Sequence, residues 1–303
     1  MKNLLCHKKL CLVLDLDHTL LNFTLLIEMT SEEEYLKIQT DSLQDVSKGS
    51  LLMLDFMEMM TKLRPFVCTF LKEASEMFEM YIYTMGDRPY ALEMAKLLDP
   101  QREYFSSRVI SRDDSTHKHQ KGLDVVLGQE SVALILDDME NVVWPKHKEN
   151  LILMKIYHFF ASSCHRYGFS CKSLFKLKTD ELETDEALTT VLKVLKQVHK
   201  MFFYELEETL VDRDVRKVIK LIKNEVLKGC MLVFSLVYPT RFQADNHNLW
   251  KLAEDLGATC STELDPSVTH VISTDAGTEK SLWAVKHMKF LVHPRWIEAA
   301  NYM

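Results

Sequence analysis

The sequence predicts an α/β protein: a parallel sheet with helices on both faces, then a helical connector, then a second, small α/β module. Three observations carry this. Short apolar runs alternate with helix-period segments through the first half of the 303 residues. Two of those runs end abruptly in aspartates, as buried strands do where they reach a crevice. The last part of the chain repeats the alternation on a smaller scale. A domain usually takes ~100–200 residues, so this length suits two.

Leu10–Leu14 is the first buried strand, and Asp15 and Asp17 follow it. Residues 22–62 interrupt the scheme and read as an insertion. Their run Glu32-Glu33-Glu34 is expected on a solvated helical face, and the methionines at 53–60 are expected to pack. Residues 66–79 have helical spacing, Met80–Tyr83 is strand-like, and Arg88–Leu98 is a helix with proline near its start. Tyr104–Ile110 is expected as a strand, Gly122–Leu127 as a short helix, and Val132–Leu136 as a buried strand ending in Asp137-Asp138. Residues 158–184 lack periodicity. Two amphipathic helices follow, one through Leu188 to Phe202 and one through Val211 to Val226, parted by acids around Asp212. In the final module Met231–Val237, Val268–Ser273 and Phe290–Val292 are strands. Leu249–Leu256 is a helix closed by Gly257, Lys280–Met288 is a helix, and Pro294 opens the last. The resulting boundaries are 1–157 (insertion about 22–62), 158–227 and 228–303.

Composition excludes several classes. Lys and Arg number 37 against 44 Asp and Glu, a net charge of −7, which argues against a chain that coats phosphate backbones. Only 8 glycines occur, and none forms a G-x-G-x-x-G or G-x-x-x-x-G-K loop, so phosphate must be held by another device. The 7 scattered cysteines suit reduced, buried thiols better than a disulfide framework, and Cys6/Cys11 and Cys164/Cys171 have the wrong spacing for a zinc knuckle. Lys8-Lys9 interrupts the N-terminal apolar stretch, so no secretory core is expected, and no run spans a membrane.

The strongest chemical signal is Asp15-Leu16-Asp17-His18-Thr19. Strand alternation sends Asp15 and Asp17 to the same side. Asp137-Asp138 ends another strand in the same way. Carboxylates gathered at strand ends need a cation, and oxygen ligands favour a hard one such as Mg²⁺.

These residues resemble a known pattern. D-x-D-x-T after an apolar strand, followed by T-x-G, a lysine and D-D, is similar to the haloacid dehalogenase phosphotransferase superfamily. DLDHTLLN (15–22), LRP (63–65), YTMG (83–86), SRD (111–113), KHQKGLDVVLG (118–128) and DDMENVVWP (137–145) resemble the catalytic domain of the RNA polymerase II C-terminal-domain phosphatases, the Fcp/Scp class. Leu256-Gly257-Ala258, Thr269-His270-Val271 and Trp296 resemble a BRCT domain. That order of domains, with HFFASSC at 158–164, is similar to the plant C-terminal-domain phosphatase-like group. The resemblance implies a HAD-like Rossmannoid domain followed by a BRCT domain.

It also implies roles. Asp15 would be the nucleophile and form an aspartyl-phosphate. Asp17 would be the acid and then the base. Mg²⁺ would bind Asp15, the Asp17 carbonyl and Asp138, with Asp137 helping. Thr84 and Lys121 would hold the phosphoryl group, and Arg112 would meet substrate. Lys118 would add local positive charge. Arg64 receives no role, and His117 and His119 are expected as solvated loop positions. In the BRCT module, Ser235 and Lys280 stand where some members bind phosphate, but Leu236 replaces the usual glycine, which favours protein docking. The implied activity is a protein serine/threonine phosphatase acting on phosphorylated polymerase heptads, in the nucleus, with transcription-factor docking and no direct nucleic-acid or membrane binding. A small-molecule phosphatase and a non-catalytic BRCT adaptor are the competing readings. The absence of an evident large cap opposes the first, and the intact acidic set opposes the second.

Overall fold

The computed structural model describes residues 2–41, 51–117, 119–126, 130–140, 143–166, 172–182, 187–210, 212–239 and 243–302. Lys118, Cys171 and Val211 lie outside them. The chain forms two compact units, Met1–Val215 and Arg216–Met303.

In the first unit a short helix α1 (Lys2–Cys6) leads to β1 (Leu10–Leu14). The insertion follows: β2 (Leu21–Leu25), α2 (Leu36–Asp41), β3 (Leu51–Leu54) and β4 (Met59–Leu63). Then come α3 (Val67–Met77), β5 (Phe78–Tyr83), α4 (Arg88–Leu98), β6 (Val109–Ile110), β7 (Ala133–Asp137) and β8 (Leu151–Leu153). Helices α5 (Ala161–Arg166), α6 (Leu174–Leu177) and α7 (Ala187–Lys200) complete it. The main sheet is wholly parallel, in the order β6-β5-β1-β7-β8. Both of its faces are covered: Cys11, Val13, Tyr83 and Ile135 are buried on one side, and Leu12, Leu14, Ile82 and Leu134 on the other. Continuous apolar strands are what such burial requires. The insertion is a separate antiparallel sheet, β2-β4-β3, in which Met59 and Met60 are buried.

Three expectations for this unit change. Tyr104–Ile110 contains only the two-residue β6. The Asp99 carboxylate accepts from the backbone N–H groups of Glu103, Tyr104 and Phe105 at 2.8–2.9 Å, which commits that backbone to a turn. Of Gly122–Leu127, the described residues 122–126 contain a single 3₁₀ turn, Leu123–Val125, and Leu127 lies outside the described residues. Glu33 is not solvated but fully buried. Its carboxylate accepts from the N–H and hydroxyl of Thr30 and from Ala161 N–H at the start of α5.

The second unit contains α8 (Val215–Val226, begun at the boundary), β9 (Met231–Ser235), α9 (Asn248–Asp255) and β10 (Thr259–Ser261). It continues with β11 (His270–Ser273), α10 (Glu279–Lys286), β12 (Phe290–Val292) and α11 (Arg295–Ala300). Its sheet is also parallel, in the order β10-β9-β11-β12. β9 stops at Ser235 because Leu236 turns into the left-handed region at φ 53°. Gly257 ends α9 at φ 93°, and a Cβ there would meet the Asn224 carbonyl oxygen at 1.8 Å.

Candidate active site

The sheet register assembles the site. Leu14 of β1 stands level with Ile82 of β5 and Leu136 of β7. The residues at or just past the strand ends therefore meet at one edge: Asp15, Thr84, Asp137 and Asp138. This is the carboxyl end of a parallel sheet, where such folds keep their ligands. Asp15 N–H is tied to the Leu136 carbonyl at 3.0 Å, and Thr84 N–H to that of Ile110 at 3.0 Å. Lys121 arrives from the loop after β6. Its ammonium donates to Asp15 Oδ1 at 2.5 Å and Asp137 Oδ2 at 2.7 Å, and it is 4% exposed.

Asp17 sits on a tight turn. The N–H groups of Thr19, Leu20 and Leu21 all donate to the Leu16 carbonyl, and His18 takes φ 63°. The Asp17 carboxylate accepts from the Tyr90 hydroxyl on one oxygen and from the Thr84 hydroxyl, at 3.2 Å, on the other. Thr84 also accepts from Gly86 N–H at 2.9 Å, which aims its hydroxyl.

The cluster is over-supplied with negative charge. Burial, and then the neighbouring carboxylates, raise Asp15 well above the ordinary carboxyl range despite Lys121. Burial likewise raises Asp17, against the Tyr90 hydrogen bond. Asp138 is pushed up to about 7, by burial and then by Asp137. Burial alone would lower Lys121, but Asp137 and Asp15 outweigh it and raise it further. One ammonium among these acids leaves an anionic site. Oxygens of Asp15, Asp137 and Asp138 lie within 4.8 Å of one another, an all-oxygen set that fits a hard divalent cation. Asp137 is the most committed to protein donors. Besides Lys121 it accepts from Trp144 Nε1 at 2.8 Å and Met139 N–H at 2.9 Å. The Asp17 carboxylate is outside this cluster and is held by the Tyr90 and Thr84 hydroxyls.

Arg112 is exposed, and its N–H bonds the Gly86 carbonyl at 2.9 Å, beside the Thr84 turn. His117 and His119 are exposed loop residues.

Sequence reasoning missed three supports. Tyr90 lies one turn into α4, and only the fold aims its hydroxyl at Asp17. Trp144 stands in a quoted motif, yet its indole bond to Asp137 had no sequence signal. Arg64, 1% exposed, is the third. It makes a two-pronged ion pair with Glu181 at 2.7 Å on both oxygens, and donates to the carbonyls of Thr19 and Lys155 at 2.9 Å. Glu181 lies in the stretch 158–184 that lacks periodicity. Residues 157–160 fasten the Asp17 turn as well. Tyr157 N–H donates to the His18 carbonyl at 2.7 Å, and Asn22 bonds the N–H groups of Phe159 and Phe160.

In the second unit, Ser235 shares a 2.8 Å hydrogen bond with Thr278, the N-cap of α10. Lys280 donates to the carbonyls of Phe234 at 3.2 Å and Thr262 at 2.7 Å, and burial lowers its pKa. Both residues line one corner, with the ammonium committed to backbone.

Both units match known families. Residues 10–202 match the NLI interacting factor-like phosphatase family, and residues 223–300 match the BRCA1 C-terminus (BRCT) domain. RNA polymerase II C-terminal domain phosphatase-like 4 of Arabidopsis thaliana is 63% identical over 98% of this chain, which spans 68% of that relative. Phosphatase-like 3 of the same plant is 39% identical over 98% of this chain, which spans 24% of its length. The solved structure of Fcp1, an essential RNA polymerase II CTD phosphatase, aligns with a TM-score of 0.72 at 28% identity, covering 99% of this chain and 94% of the other. A carboxylate pair on one strand end, a lysine between two acids, and a BRCT unit after them thus have one common explanation: the chain belongs to the RNA polymerase II C-terminal-domain phosphatase family.

Proposed function

We propose that the chain is a Mg²⁺-dependent serine/threonine phosphatase that works through an aspartyl-phosphate on Asp15. The observation that carries this is the pairing of two carboxylates with opposite surroundings. Asp15 faces an ammonium, whereas Asp17 faces two hydroxyls. Asp15 Oδ attacks phosphorus in line, and the bond from phosphorus to the serine oxygen breaks. Asp17, whose buried carboxyl favours the protonated form, gives its proton to the leaving oxygen. The resulting carboxylate then takes a proton from water, which attacks the phosphoryl group and frees Asp15. Thr84 can turn its hydroxyl from Asp17 to a phosphoryl oxygen. Lys121 balances Asp15 and the incoming charge. Asp15, Asp138 and the Asp17 carbonyl would hold Mg²⁺, which supplies charge neutralisation for two anions that must approach.

The substrate follows from family membership: phosphorylated heptad repeats of RNA polymerase II, in the nucleus, with Arg112 at the rim meeting the peptide. The BRCT unit serves to dock a protein, since Lys280 is already held by two carbonyls and Leu236 stands where phosphate-binding members have glycine. The insertion supports a peptide substrate: among the described residues it is a small three-stranded antiparallel sheet. The test is hydrolysis of phosphorylated heptad peptides, with and without Mg²⁺, by wild type and Asp15→Asn. Equal activity in both proteins refutes the nucleophile. Turnover of sugar phosphates but not peptides refutes the substrate class.

A further inference from the structure

Lys121 is a long, flexible side chain on a segment that is neither strand nor α-helix, so the place of its ammonium depends on what holds its backbone. Within the described residues 119–126, three successive N–H groups are held. Lys121 N–H donates to the Val143 carbonyl at 2.9 Å, and Gly122 N–H to the Tyr83 hydroxyl oxygen at 3.4 Å. Leu123 N–H donates to Nε2 of His147 at 3.3 Å. His147 is buried, and its ring stands edge-on to Trp144 with centroids 6.2 Å apart.

The imidazole can do this in one form. A ring nitrogen that accepts an N–H carries no proton, so the proton is on Nδ1. Nδ1 lies 3.4 Å from Glu130 Oε1, a carboxylate that suits that tautomer. The backbone of His147 is fixed as well: its N–H donates to the Trp144 carbonyl at 3.3 Å, and its carbonyl accepts from Asn150 N–H at 3.1 Å. Residues 143–147 therefore serve both partners of the buried Lys121–Asp137 ion pair. Trp144 Nε1 donates to the Asp137 carboxylate, while Val143 and His147 hold the segment that carries Lys121.

Resting on the role given to Lys121 above, we propose that His147 is a positioning residue for the reaction: its Nε2 accepts the Leu123 N–H and so sets where the Lys121 ammonium meets Asp15 and the phosphoryl group. Leu123 is buried, so an N–H that loses this acceptor lacks an equivalent one in place, and the backbone must shift to satisfy it. A displacement of about 1 Å at a group that stabilises charge can cost on the order of a hundredfold in rate. The Val143 and Tyr83 bonds remain, so a smaller loss, about tenfold in kcat, is expected.

The test compares heptad-peptide turnover by the full chain with Mg²⁺ for wild type, His147→Ala, His147→Asn, His147→Gln and Lys121→Met. Glutamine can place its side-chain oxygen where Nε2 stands, whereas asparagine reaches only the position of Nδ1. In His147→Ala and His147→Asn, kcat should fall about tenfold, and in His147→Gln it should return to within about threefold of wild type. Hydrogen exchange read by mass spectrometry should quicken over residues 119–126 in the alanine and asparagine variants, with β1 unchanged, and stay near wild type in His147→Gln. Urea unfolding separates packing from positioning, since glutamine and asparagine both remove the ring. A kcat order that follows the unfolding midpoints instead of the acceptor overturns the proposal. So do equal losses in His147→Gln and His147→Asn, unchanged kcat in His147→Asn, or unaltered exchange over residues 119–126. If His147→Ala does not fold, the glutamine and asparagine variants decide alone. Full turnover by Lys121→Met refutes the role of Lys121 and the proposal with it. Inactive Lys121→Met beside fully active His147→Asn refutes the part given to His147 alone.

Discussion

Replacing Glu181 by alanine strips a buried guanidinium of its counter-charge. The Arg64–Glu181 side chains are 0% and 6% exposed, so water cannot take the carboxylate's place. Removing one partner of such a pair typically costs about 3–5 kcal/mol. By contrast Lys196–Glu73, with side chains 52% and 38% exposed, belongs to a class worth roughly 0–1 kcal/mol. The expectation is therefore a loss of about 4 kcal/mol for Glu181→Ala and under about 1 kcal/mol for Glu73→Ala. Urea unfolding of the full chain measures both, using the transition that abolishes phosphatase activity. The double variant Arg64→Met/Glu181→Met separates stability from positioning. Its stability should return to within about 1–2 kcal/mol of wild type, because an apolar pair replaces a buried ionic one at little cost. Its kcat should not return, since the Thr19 and Lys155 carbonyls have lost their donor. A Glu181→Ala loss no larger than that of Glu73→Ala refutes the reasoning. Full recovery of kcat in the double variant refutes the link to the catalytic turn.

Three further outcomes are expected. Tyr90→Phe removes a donor that favours ionised Asp17, so kcat should fall about tenfold, or ~1.4 kcal/mol; the alkaline limb of kcat/KM should move up, and an unchanged profile sinks the assignment. Gly257→Ala combines a left-handed backbone with a Cβ 1.8 Å from the Asn224 oxygen, so thermal unfolding of the second unit should register about 2–4 kcal/mol lost, and a neutral effect contradicts the geometry. Burial lowers His158 to about 4. The folded state thus prefers it neutral, a contribution complete above about pH 6.5 and lost as pH falls toward 4. With its partial exposure this amounts to about 1–2 kcal/mol, which His158→Gln should erase from the acid limb of a stability profile.

The sequence made the reacting groups legible because chemistry fixes their spacing. Asp15 and Asp17 follow one buried strand, and Asp137-Asp138 closes another, so both clusters stand out against apolar runs. Arg88–Leu98 is legible from the proline near its start, and the structure adds the cap, Asp87, whose side chain accepts from Tyr90 N–H. What stayed hidden depends on distance in the chain. Glu33 reads as one of three solvated acids until Thr30 and Ala161 close around it. Tyr104 to Ser107 has strand-like composition, yet Asp99 spends its backbone donors in a turn. Arg64 and Glu181 are ordinary residues far apart in sequence, and no local pattern announces that they meet.

The fastening of the Asp17 turn has a consequence for how the protein is made. Asp17 is made well before Tyr157, Phe159 and Glu181, which hold its turn. At ordinary translation speeds of ~5–20 residues per second, the wait is roughly ten to thirty seconds. During that interval Arg64 has no counter-charge and Asn22 no backbone to bond. The nascent chain can form its first strands, but it stays without a working catalytic turn until synthesis has passed residue 181.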